Sequence, residues 1–517
     1  MNSAPPAALA AQRGFDAARK HTPYLAQHRT PYAEALAAHA GRDWLRLNVP
    51  GHAGDPAPFA RLAALVGEAP LRLDFPPLLE GLDLGTGSPL EQAQDLAAQA
   101  WGARRTWFLT NGASQGNQIA SLIAPALGST LVVQRSVHSS VIDGLVLSGL
   151  DCRFVSPSVD ADQGIAHGVT AEDLARALAR APDAAAAYVV TPSYFGAVAD
   201  VRALADVAHA HGVPLFVDEA WGSHFGFHPD LPQGALSQGA DLVVSSTHKL
   251  GGSLTQSAML HLGHGPYAER LEPLIDRAFR MVQSTSASAL LLASLDVARA
   301  CLVNNQEALG ASVAAADRIR GAVRRLGRFA IVSDTFDRFP DVVSADPLRI
   351  PIDTRRGGIS GYEARALLMR NHQVLVEVAT ESAVVAVIAA GAAPDTDRVV
   401  EALHCLPSPD SKGAEREEGR LGLGLPSPGE ARMSARRAFL SATRVVPARD
   451  AVGMISADTL AAYPPGIPNV LPGEVVTEAV VDFLQATAAA PHGHVRGAVD
   501  PAVAQLRVVA PEAAVSF

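Results

Sequence analysis

The chain has 517 residues, of which 48% are hydrophobic and 18% are charged, a composition typical of a soluble globular protein. This length predicts two or three domains, because single hydrophobic cores stop growing at about 250–300 residues. The formal net charge is −10 without a long basic run, which argues against nucleic acid as a partner.

Cysteine usage and apolar stretches indicate the compartment. Cys152, Cys301 and Cys405 are far apart and fit neither a disulfide framework nor a zinc site, so we expect a reducing compartment and no bound metal. The amino terminus has no basic stretch followed by an apolar core, and we predict no signal peptide. Residues 290–295 and 382–391 are apolar but far too short to span a membrane, which predicts a buried helix and a buried strand. We therefore predict a cytoplasmic protein with no membrane partner.

Hydrophobic periodicity divides the chain into segments. Residues 1–45 are Ala-rich and predict an N-terminal helical arm. Strand and helix patterns alternate from about 107 to 262, which predicts an α/β fold with a mostly parallel sheet in a large domain over 46–300. Within that domain, residues 200–211 have helical spacing and predict a crossover helix. One long helix is predicted from 287 to 325.

The remaining chain predicts smaller units. Residues 301–406 contain further strand and helix patterns and predict a small α/β domain. Residues 407–433 are rich in Gly, Pro, Ser and charge, which is typical of a flexible surface linker. Order resumes over 434–517, where we predict a C-terminal domain.

Two predicted strand ends carry side chains with complementary chemistry. One apolar strand ends at Asp218, and another ends in the turn Ser246-Thr-His-Lys249. Ligands in open α/β sheets bind outside the carboxyl ends of the strands, so we expect both side chains at one edge. A lysine can form a Schiff base with pyridoxal phosphate, and a carboxylate can keep its pyridine nitrogen protonated. Lys249 alone is more typical of a solvated surface lysine, but its pairing with Asp218 favours a pyridoxal-phosphate site.

Two further turns suit a phosphate and a flat ring. Ser114 lies at the start of a predicted helix, where backbone amides and a hydroxyl can bind a phosphate. His138 follows a predicted strand, and its imidazole can stack on a flat cofactor. Each residue also has a plainer interpretation, Ser114 as part of a helix cap and His138 as a polar loop residue.

The chain resembles the Orn/Lys/Arg decarboxylases, a family of fold type I pyridoxal-phosphate enzymes. The resemblance extends from about residue 31 to about residue 509, and the order of the motifs is preserved. The matching stretches are Asn48-Val-Pro-Gly-His52, Asn111-Gly-Ala-Ser-Gln-Gly-Asn117, Val137-His-Ser139, Thr191-Pro-Ser-Tyr-Phe-Gly196, Val217-Asp-Glu-Ala-Trp-Gly-Ser-His-Phe-Gly-Phe-His228, Ser246-Thr-His-Lys249, Gln283-Ser-Thr-Ser286, Ala293-Ser-Leu-Asp296, Tyr463-Pro-Pro-Gly-Ile-Pro468 and Pro472-Gly-Glu474.

The resemblance implies roles around the cofactor ring. Lys249 is similar to the Schiff-base lysine of the family, and Asp218 to the partner of the pyridine nitrogen. His138 resembles the residue stacked on one ring face, and Ala220 the small residue beneath the other. His248 resembles a residue that positions the cofactor and can protonate the reacting carbon.

The resemblance also implies phosphate ligands and a homodimer or a higher homo-oligomer. Ser114 and Ser246 are similar to phosphate ligands within one subunit. Ser284 and Thr285 resemble a segment that reaches the phosphate of a neighbouring subunit.

The sequence departs from the family pattern at positions that border the site. Ala53 replaces the lysine of a common Pro-Gly-His-Lys motif, and Ala287 stands where the family prefers proline. Trp221 stands where many short members have histidine, and we treat it as a candidate substrate residue. These departures leave the identity of the substrate open.

The implied activity is decarboxylation of a basic L-amino acid to the amine and carbon dioxide, in polyamine biosynthesis. A distal cation needs a carboxylate, and the resemblance suggests Glu377 or Glu474, although each is also interpretable as a structural ion-pair residue. We favour arginine over lysine or ornithine, because the short architecture resembles short arginine or lysine decarboxylases.

Two alternatives stay open from the sequence. One is an oxidase/deaminase or an aminotransferase that acts on a basic amino acid with the same cofactor. The other is a catalytically inactive homologue with a regulatory role.

Overall fold

The computed structural model describes residues 27–407, 426–463, 467–490 and 493–511. Residues 1–26 of the predicted N-terminal arm lie outside this range, and its described part contains the helix Pro31–Ala40, which begins with proline. The helix start is fixed to the large domain, because the Asp296 carboxylate accepts a 2.9 Å hydrogen bond from the Tyr32 backbone N–H. Asp296 also forms a buried ion pair with Arg299.

A seven-stranded sheet forms the centre of the large domain. In spatial order its strands are Arg105–Leu109, Ala258–Leu262, Leu242–Ser245, Leu215–Asp218, Ala184–Val190, Thr130–Gln134 and Asp151–Val155. The strand Ala258–Leu262 is antiparallel to both neighbours, and the other strands run parallel to one another. The predicted α/β fold with a mostly parallel sheet is confirmed.

Helices cover both faces of this sheet, which explains why its central strands are apolar except at their ends. In the strand Ala184–Val190, Ala186 and Tyr188 pack into one core, and Ala187 and Val189 pack into the other. One helix layer consists of Gly112–Ile123, Ser139–Ser148 and Ala268–Val282, and the other of Ala171–Ala179 and Val201–Ala210. Val201–Ala210 is the predicted crossover helix, and the Asp200 side chain caps its start by accepting from the Ala203 N–H at 3.0 Å.

The prediction of one continuous helix over 287–325 is wrong. The structure has two helices, Ala289–Asn304 and Gln306–Leu326, because Asn305 leaves the helical conformation with φ −110° and ψ 50°. The other helices of the amino-terminal half are Ala60–Val66, Glu68–Leu73, Pro89–Trp101 and the single turn Thr247–Leu250, with 3₁₀ turns at Ala124–Ala126 and Ala235–Gln238.

A four-stranded antiparallel sheet follows in the segment predicted as a small α/β domain. Its spatial order is Ala330–Ile331, Arg349–Asp353, Ala383–Val387 and Val378–Ala379. The helices Gln306–Leu326, Gly361–His372 and Thr396–His404 pack around its apolar core, with 3₁₀ turns at Val332–Arg338 and Arg355–Gly357. The strand Val342–Ala345 pairs with Ala197–Ala199 and so connects this unit to the large domain. The large domain also has a short hairpin, formed by Val159–Asp160 and Ile165–Ala166.

The last unit contains two small antiparallel sheets. Thr443–Pro447 pairs with Gln505–Val509, and Leu460–Tyr463 lies between Pro468–Val470 and His494–Arg496. Its helices are Ala435–Leu440 and Glu478–Ala489. The described residues exclude most of the predicted linker, namely residues 408–425. They also exclude residues 464–466 of the Tyr-Pro-Pro-Gly motif. The domain boundaries themselves stay predictions.

Across the described ranges, no helix combines the length and apolar character that a membrane crossing requires. The same residues contain no group of three or more His, Cys, Asp or Glu side chains placed to hold a metal ion.

Candidate active site

Two adjacent parallel strands bring Asp218 and Lys249 to the same edge of the central sheet. Asp218 ends the strand Leu215–Asp218. The neighbouring strand Leu242–Ser245 leads into the turn Thr247–Leu250, which carries Lys249. The Asp218 charge acts on the Lys249 amine and favours its charged form. The structure therefore brings together the two side chains on which the sequence argument depends.

The environment of Lys249 favours a reactive amine. Burial lowers the pKa of Lys249 from 10.5 to about 8, and the nearby charge of Arg349 lowers it as well, against the opposing charges of Asp218 and Glu377. Its Nζ lies 3.9 Å from the centre of the Trp221 ring, so the indole covers the amine. An amine with this pKa is partly uncharged near neutral pH, which a nucleophilic lysine requires.

A hydrogen-bond network fixes the orientation of the Asp218 carboxylate. Asn117 Nδ2 donates to Asp218 Oδ2 at 2.9 Å and to Ser140 Oγ at 2.9 Å. Asn117 Oδ1 in turn accepts from the Tyr188 hydroxyl at 2.8 Å. On the other side, the backbone N–H of Ala220 donates to Asp218 Oδ1 at 3.0 Å. Because every side chain in the network is buried, these bonds define a single rotamer of the carboxylate.

His138 caps the helix Ser139–Ser148 and joins the same network. Its Nδ1 accepts from the Ser140 backbone N–H at 3.2 Å and lies 2.8 Å from Ser140 Oγ. Because Nδ1 accepts, the neutral ring carries its proton on Nε2. Burial lowers the pKa of His138 to about 4. The ring is therefore neutral at pH 7, as a stacking partner for a flat ligand should be.

The hydroxyls proposed as phosphate ligands lie at the starts of two helical segments on this edge. Ser114 is in the first turn of Gly112–Ile123, whose first N–H groups have no intrahelical acceptor. Ser246 is buried and directly precedes Thr247–Leu250. Ser245 Oγ and Thr247 Oγ1, on either side of Ser246, are buried without a hydrogen-bond partner among the described residues. Buried hydroxyls without partners are uncommon, and a bound ligand is one way to satisfy them.

Two further residues proposed for the ring lie beside the Asp218–Lys249 pair. Ala220 is buried two residues after Asp218, and its backbone N–H donates to the Asp218 carboxylate. His248 is half-buried, and burial, followed by the charge of Lys249, lowers its pKa. Both effects disfavour the charged form of its imidazole.

Ser284 and Thr285 are exposed in the connection between the helices Ala268–Val282 and Ala289–Asn304. The neighbouring Gln283 accepts a 2.6 Å hydrogen bond from Gln115 and donates to Thr110 Oγ1 at 3.2 Å. This connection therefore lies beside the helix that carries Ser114. The role of Ser284 and Thr285 in a second subunit stays a prediction.

The two carboxylates considered for the substrate have different surroundings. Glu377 is exposed, precedes the strand Val378–Ala379, and lies close enough for its charge to act on Lys249 and Arg349. Glu474 is 3% exposed and forms a 2.9 Å ion pair with Arg135, while its Oε2 also accepts from the Leu471 N–H. The structure thus places Glu377 near the lysine and pairs Glu474 with Arg135, and the substrate role of either carboxylate stays a prediction.

Three residues of the site carry no assigned role in the sequence argument. Asn117 lies in a quoted motif three residues after Ser114, and this spacing on a helix is a signal that could have identified it. Arg349 stacks on Trp221, with Cζ 3.6 Å from the ring centre. Arg496 donates to Ser139 Oγ at 2.7 Å, and its charge also lowers the pKa of His138. Both arginines come from later units of the chain, and no local pattern identifies them.

The class of protein follows from the fold, the lysine–carboxylate pair and a comparison of the sequence with models of known protein families. A family model described as Orn/Lys/Arg decarboxylase, major domain, matches residues 30–340, and the C-terminal domain model of the same family matches residues 426–493. The chain therefore belongs to the Orn/Lys/Arg decarboxylase family and is an amino acid decarboxylase.

Individual relatives extend this assignment. The chain is 34% identical to a protein named arginine decarboxylase from Bacillus subtilis, over 89% of this chain and 94% of that protein. It is 29% identical to the lysine decarboxylase LdcA of Pseudomonas aeruginosa, over 55% of this chain and 41% of that protein. Among solved structures, the constitutive lysine decarboxylase of Escherichia coli has the same fold, with a TM-score of 0.77 and 20% identity over 94% of this chain and 83% of that chain.

Proposed function

We propose that this protein converts L-arginine to the corresponding amine and carbon dioxide, with pyridoxal phosphate as cofactor. The observation that carries the proposal is the pairing of Lys249 and Asp218 at the ends of adjacent parallel strands. Arginine is favoured because the relatives named arginine decarboxylase match along nearly the whole chain, whereas the relative named LdcA matches about half of it.

The residues present fit the cofactor. Lys249 would hold its aldehyde, Asp218 would face its pyridine nitrogen, and Ser114 and Ser246 would bind its phosphate. The buried hydroxyls of Ser245 and Thr247 lack partners among the described residues, and they support a polar ligand beside Ser246. When bound, pyridoxal phosphate supplies an electron sink for the electrons released as the bond to the carboxylate breaks.

The chain's own groups then have separate tasks. Asn117 holds Asp218 in one orientation, so a ring nitrogen bound there would face a fixed negative charge. The neutral His138 gives a flat surface for the ring without adding a positive charge. Lys249 and His248 both have lowered pKa values, which makes them candidates for moving a proton at the reacting carbon.

The distal end of the substrate requires a partner of opposite charge. We assign this role to Glu377, which is exposed near Lys249. A carboxylate can bind a guanidinium through two parallel hydrogen bonds, and an ammonium lacks that geometry. A change at Glu377 should therefore affect arginine more than lysine.

We also propose a homodimer in the cytoplasm. Ser284 and Thr285 are exposed, and Trp44, Leu45 and Leu47 expose large apolar side chains in the amino-terminal segment. A second copy of the chain would cover such a surface. Sedimentation analysis tests the assembly, and a monomer with full activity would contradict it.

The test of the activity is the release of carbon dioxide and amine from purified protein loaded with pyridoxal phosphate. Arginine, lysine and ornithine are offered separately. The chain has three lysines, Lys20, Lys249 and Lys412, which provide a matched control. We expect equal amounts of amine and carbon dioxide from arginine, loss of both in Lys249→Ala, and retention in the double variant Lys20→Ala/Lys412→Ala.

Other products would favour the alternatives. Ammonia, peroxide and a keto acid would indicate an oxidase/deaminase, and amino transfer without carbon dioxide would indicate an aminotransferase. Carbon dioxide from lysine alone would correct the substrate. No turnover and no absorbance of bound cofactor would point to an inactive regulatory homologue.

A further inference from the structure

The connection 135–139 leads from the central sheet to the helix Ser139–Ser148 and carries His138. The last unit of the chain contacts both ends of this connection. At its start, Arg135 is buried, and its Nη2 donates to Glu474 Oε2 at 2.9 Å. Because removal of either partner leaves a buried charge unpaired, this ion pair fixes the start of the connection to the last unit.

At the other end of the connection, Arg496 Nη1 donates to Ser139 Oγ at 2.7 Å. Ser139 is buried, directly follows His138 and is the first residue of the helix that His138 caps. The Ser140 backbone N–H donates to His138 Nδ1 at 3.2 Å, so the ring is held from the same helix start. A hydrogen bond to the Ser139 hydroxyl therefore fixes the backbone on which the orientation of the His138 ring depends.

Both contacts originate in one small part of the last unit. Arg496 ends the strand His494–Arg496 and lies opposite Ala461 in the strand Leu460–Tyr463. The third strand of this sheet, Pro468–Val470, is closely followed by Glu474. The pairing of the strands holds the two contacting side chains at a fixed separation, so the sheet can hold the connection at both ends at once.

The charge of Arg496 also acts on its surroundings. Burial lowers the pKa of His138 most, the charge of Asp218 opposes this shift, and the charges of Lys249 and Arg496 lower the pKa further. The cation thus favours the neutral ring. One turn along the helix, burial raises the pKa of Asp143, and the charge of Arg496 opposes that shift.

We propose that Arg496 is a positioning residue for the cofactor, because through Ser139 it holds His138 where the imidazole can support the cofactor ring. This inference rests on the cofactor of the proposed function and adds a contribution of the last unit to it. Arg496 and Ser139 are 357 residues apart in sequence, so the orientation of the ring depends on how the last unit packs against the large domain.

The experiment measures cofactor binding without turnover. Pyridoxal phosphate is titrated into the full-length chain, and the absorbance of the bound form gives the dissociation constant. Visible circular dichroism of the bound cofactor reports how asymmetric the surroundings of its ring are. The variants are Arg496→Met, Arg496→Lys, Ser139→Ala and the double variant Arg496→Met/Ser139→Ala.

Two further variants serve as controls. Arg507→Met removes another arginine of the last unit, whose guanidinium donates to Asp458 Oδ2 at 3.2 Å within that same unit. It therefore tests whether loss of any arginine from this unit disturbs the cofactor. Asp143→Asn removes the other group on which the charge of Arg496 acts, and so isolates the contact with Ser139.

We expect Arg496→Met to weaken pyridoxal phosphate binding about 10-fold and to reduce the visible circular dichroism of each bound cofactor, since a hydrogen bond from a charged donor is lost. Arg496→Lys keeps a charged donor and should lose less. Ser139→Ala should show a loss similar to that of Arg496→Met. The double variant should lose no more than Arg496→Met alone, because both changes remove the same hydrogen bond.

Several outcomes would overturn the assignment. They are losses that multiply in the double variant, an equal loss in Arg507→Met, and an equal loss in Asp143→Asn. Unchanged affinity and circular dichroism in Arg496→Met would also overturn it, while the proposed function would stand. A wild-type chain that binds no pyridoxal phosphate would refute the proposed function, and this inference with it.

Discussion

Asn117 is the residue whose replacement should disturb the largest part of the buried network. Its amide makes three side-chain hydrogen bonds, with Asp218, Ser140 and Tyr188. Replacement by alanine removes all three and leaves the Tyr188 hydroxyl buried without an acceptor. Three hydrogen bonds contribute about 1 kcal/mol each and one unpaired buried hydroxyl costs about 1–3 kcal/mol, so we expect a loss of roughly 4–6 kcal/mol in the free energy of unfolding.

A double-mutant cycle tests the reasoning more sharply than the single change. In Asn117→Ala/Tyr188→Phe the unpaired hydroxyl is gone, so the double variant should lose less than the sum of the two single losses, by about 1 kcal/mol. Urea unfolding of the cofactor-free protein, followed by tryptophan fluorescence, measures these differences.

The control is Ser121→Ala on the same helix. The Ser121 hydroxyl donates to the Asn117 backbone carbonyl at 3.0 Å and does not contact the network, so its loss should cost about 1 kcal/mol. Cofactor affinity should fall in Asn117→Ala and remain in Ser121→Ala. Additive losses in the cycle, with cofactor affinity unchanged, would refute the role of Asn117 in positioning Asp218.

Three further predictions concern buried charges. The pKa of Lys249 is about 8 in the folded chain and 10.5 without burial, so the unfolded chain binds more protons between these values and stability should rise with pH across that window. A Lys249→Met variant, measured by urea midpoints, should lack this rise. Burial raises the pKa of Glu219 from 4.5 to about 8, so the folded chain binds more protons than the unfolded chain between these values. The free energy of unfolding should therefore fall as pH increases across that window. Thermal melts of Glu219→Gln should not show that fall. Arg135→Met should lower the free energy of unfolding by about 3–5 kcal/mol, because it leaves Glu474 as an unpaired buried charge. The double variant Arg135→Met/Glu474→Leu should recover much of this loss in a urea titration. Equal losses in both variants would contradict the pairing.

Local sequence patterns were sufficient to predict much of the fold. Alternation of strands and helices predicted the mostly parallel sheet, and apolar spacing over 200–211 predicted the helix Val201–Ala210. The break at Asn305 was missed, because the sequence on both sides of it favours helix and only the packing of two separate helices requires the change of direction.

The sequence by itself determined the ends of the strands, and with them the shared edge that carries Asp218 and Lys249. This is possible because residues at the carboxyl ends of parallel neighbours must lie together once the strands pair. Only the tertiary structure decided that Arg349 meets Trp221, that Arg496 reaches Ser139, and that Glu474 pairs with Arg135. These contacts join side chains more than 100 residues apart, and their partners depend on how separately folded units pack, which short-range periodicity does not encode.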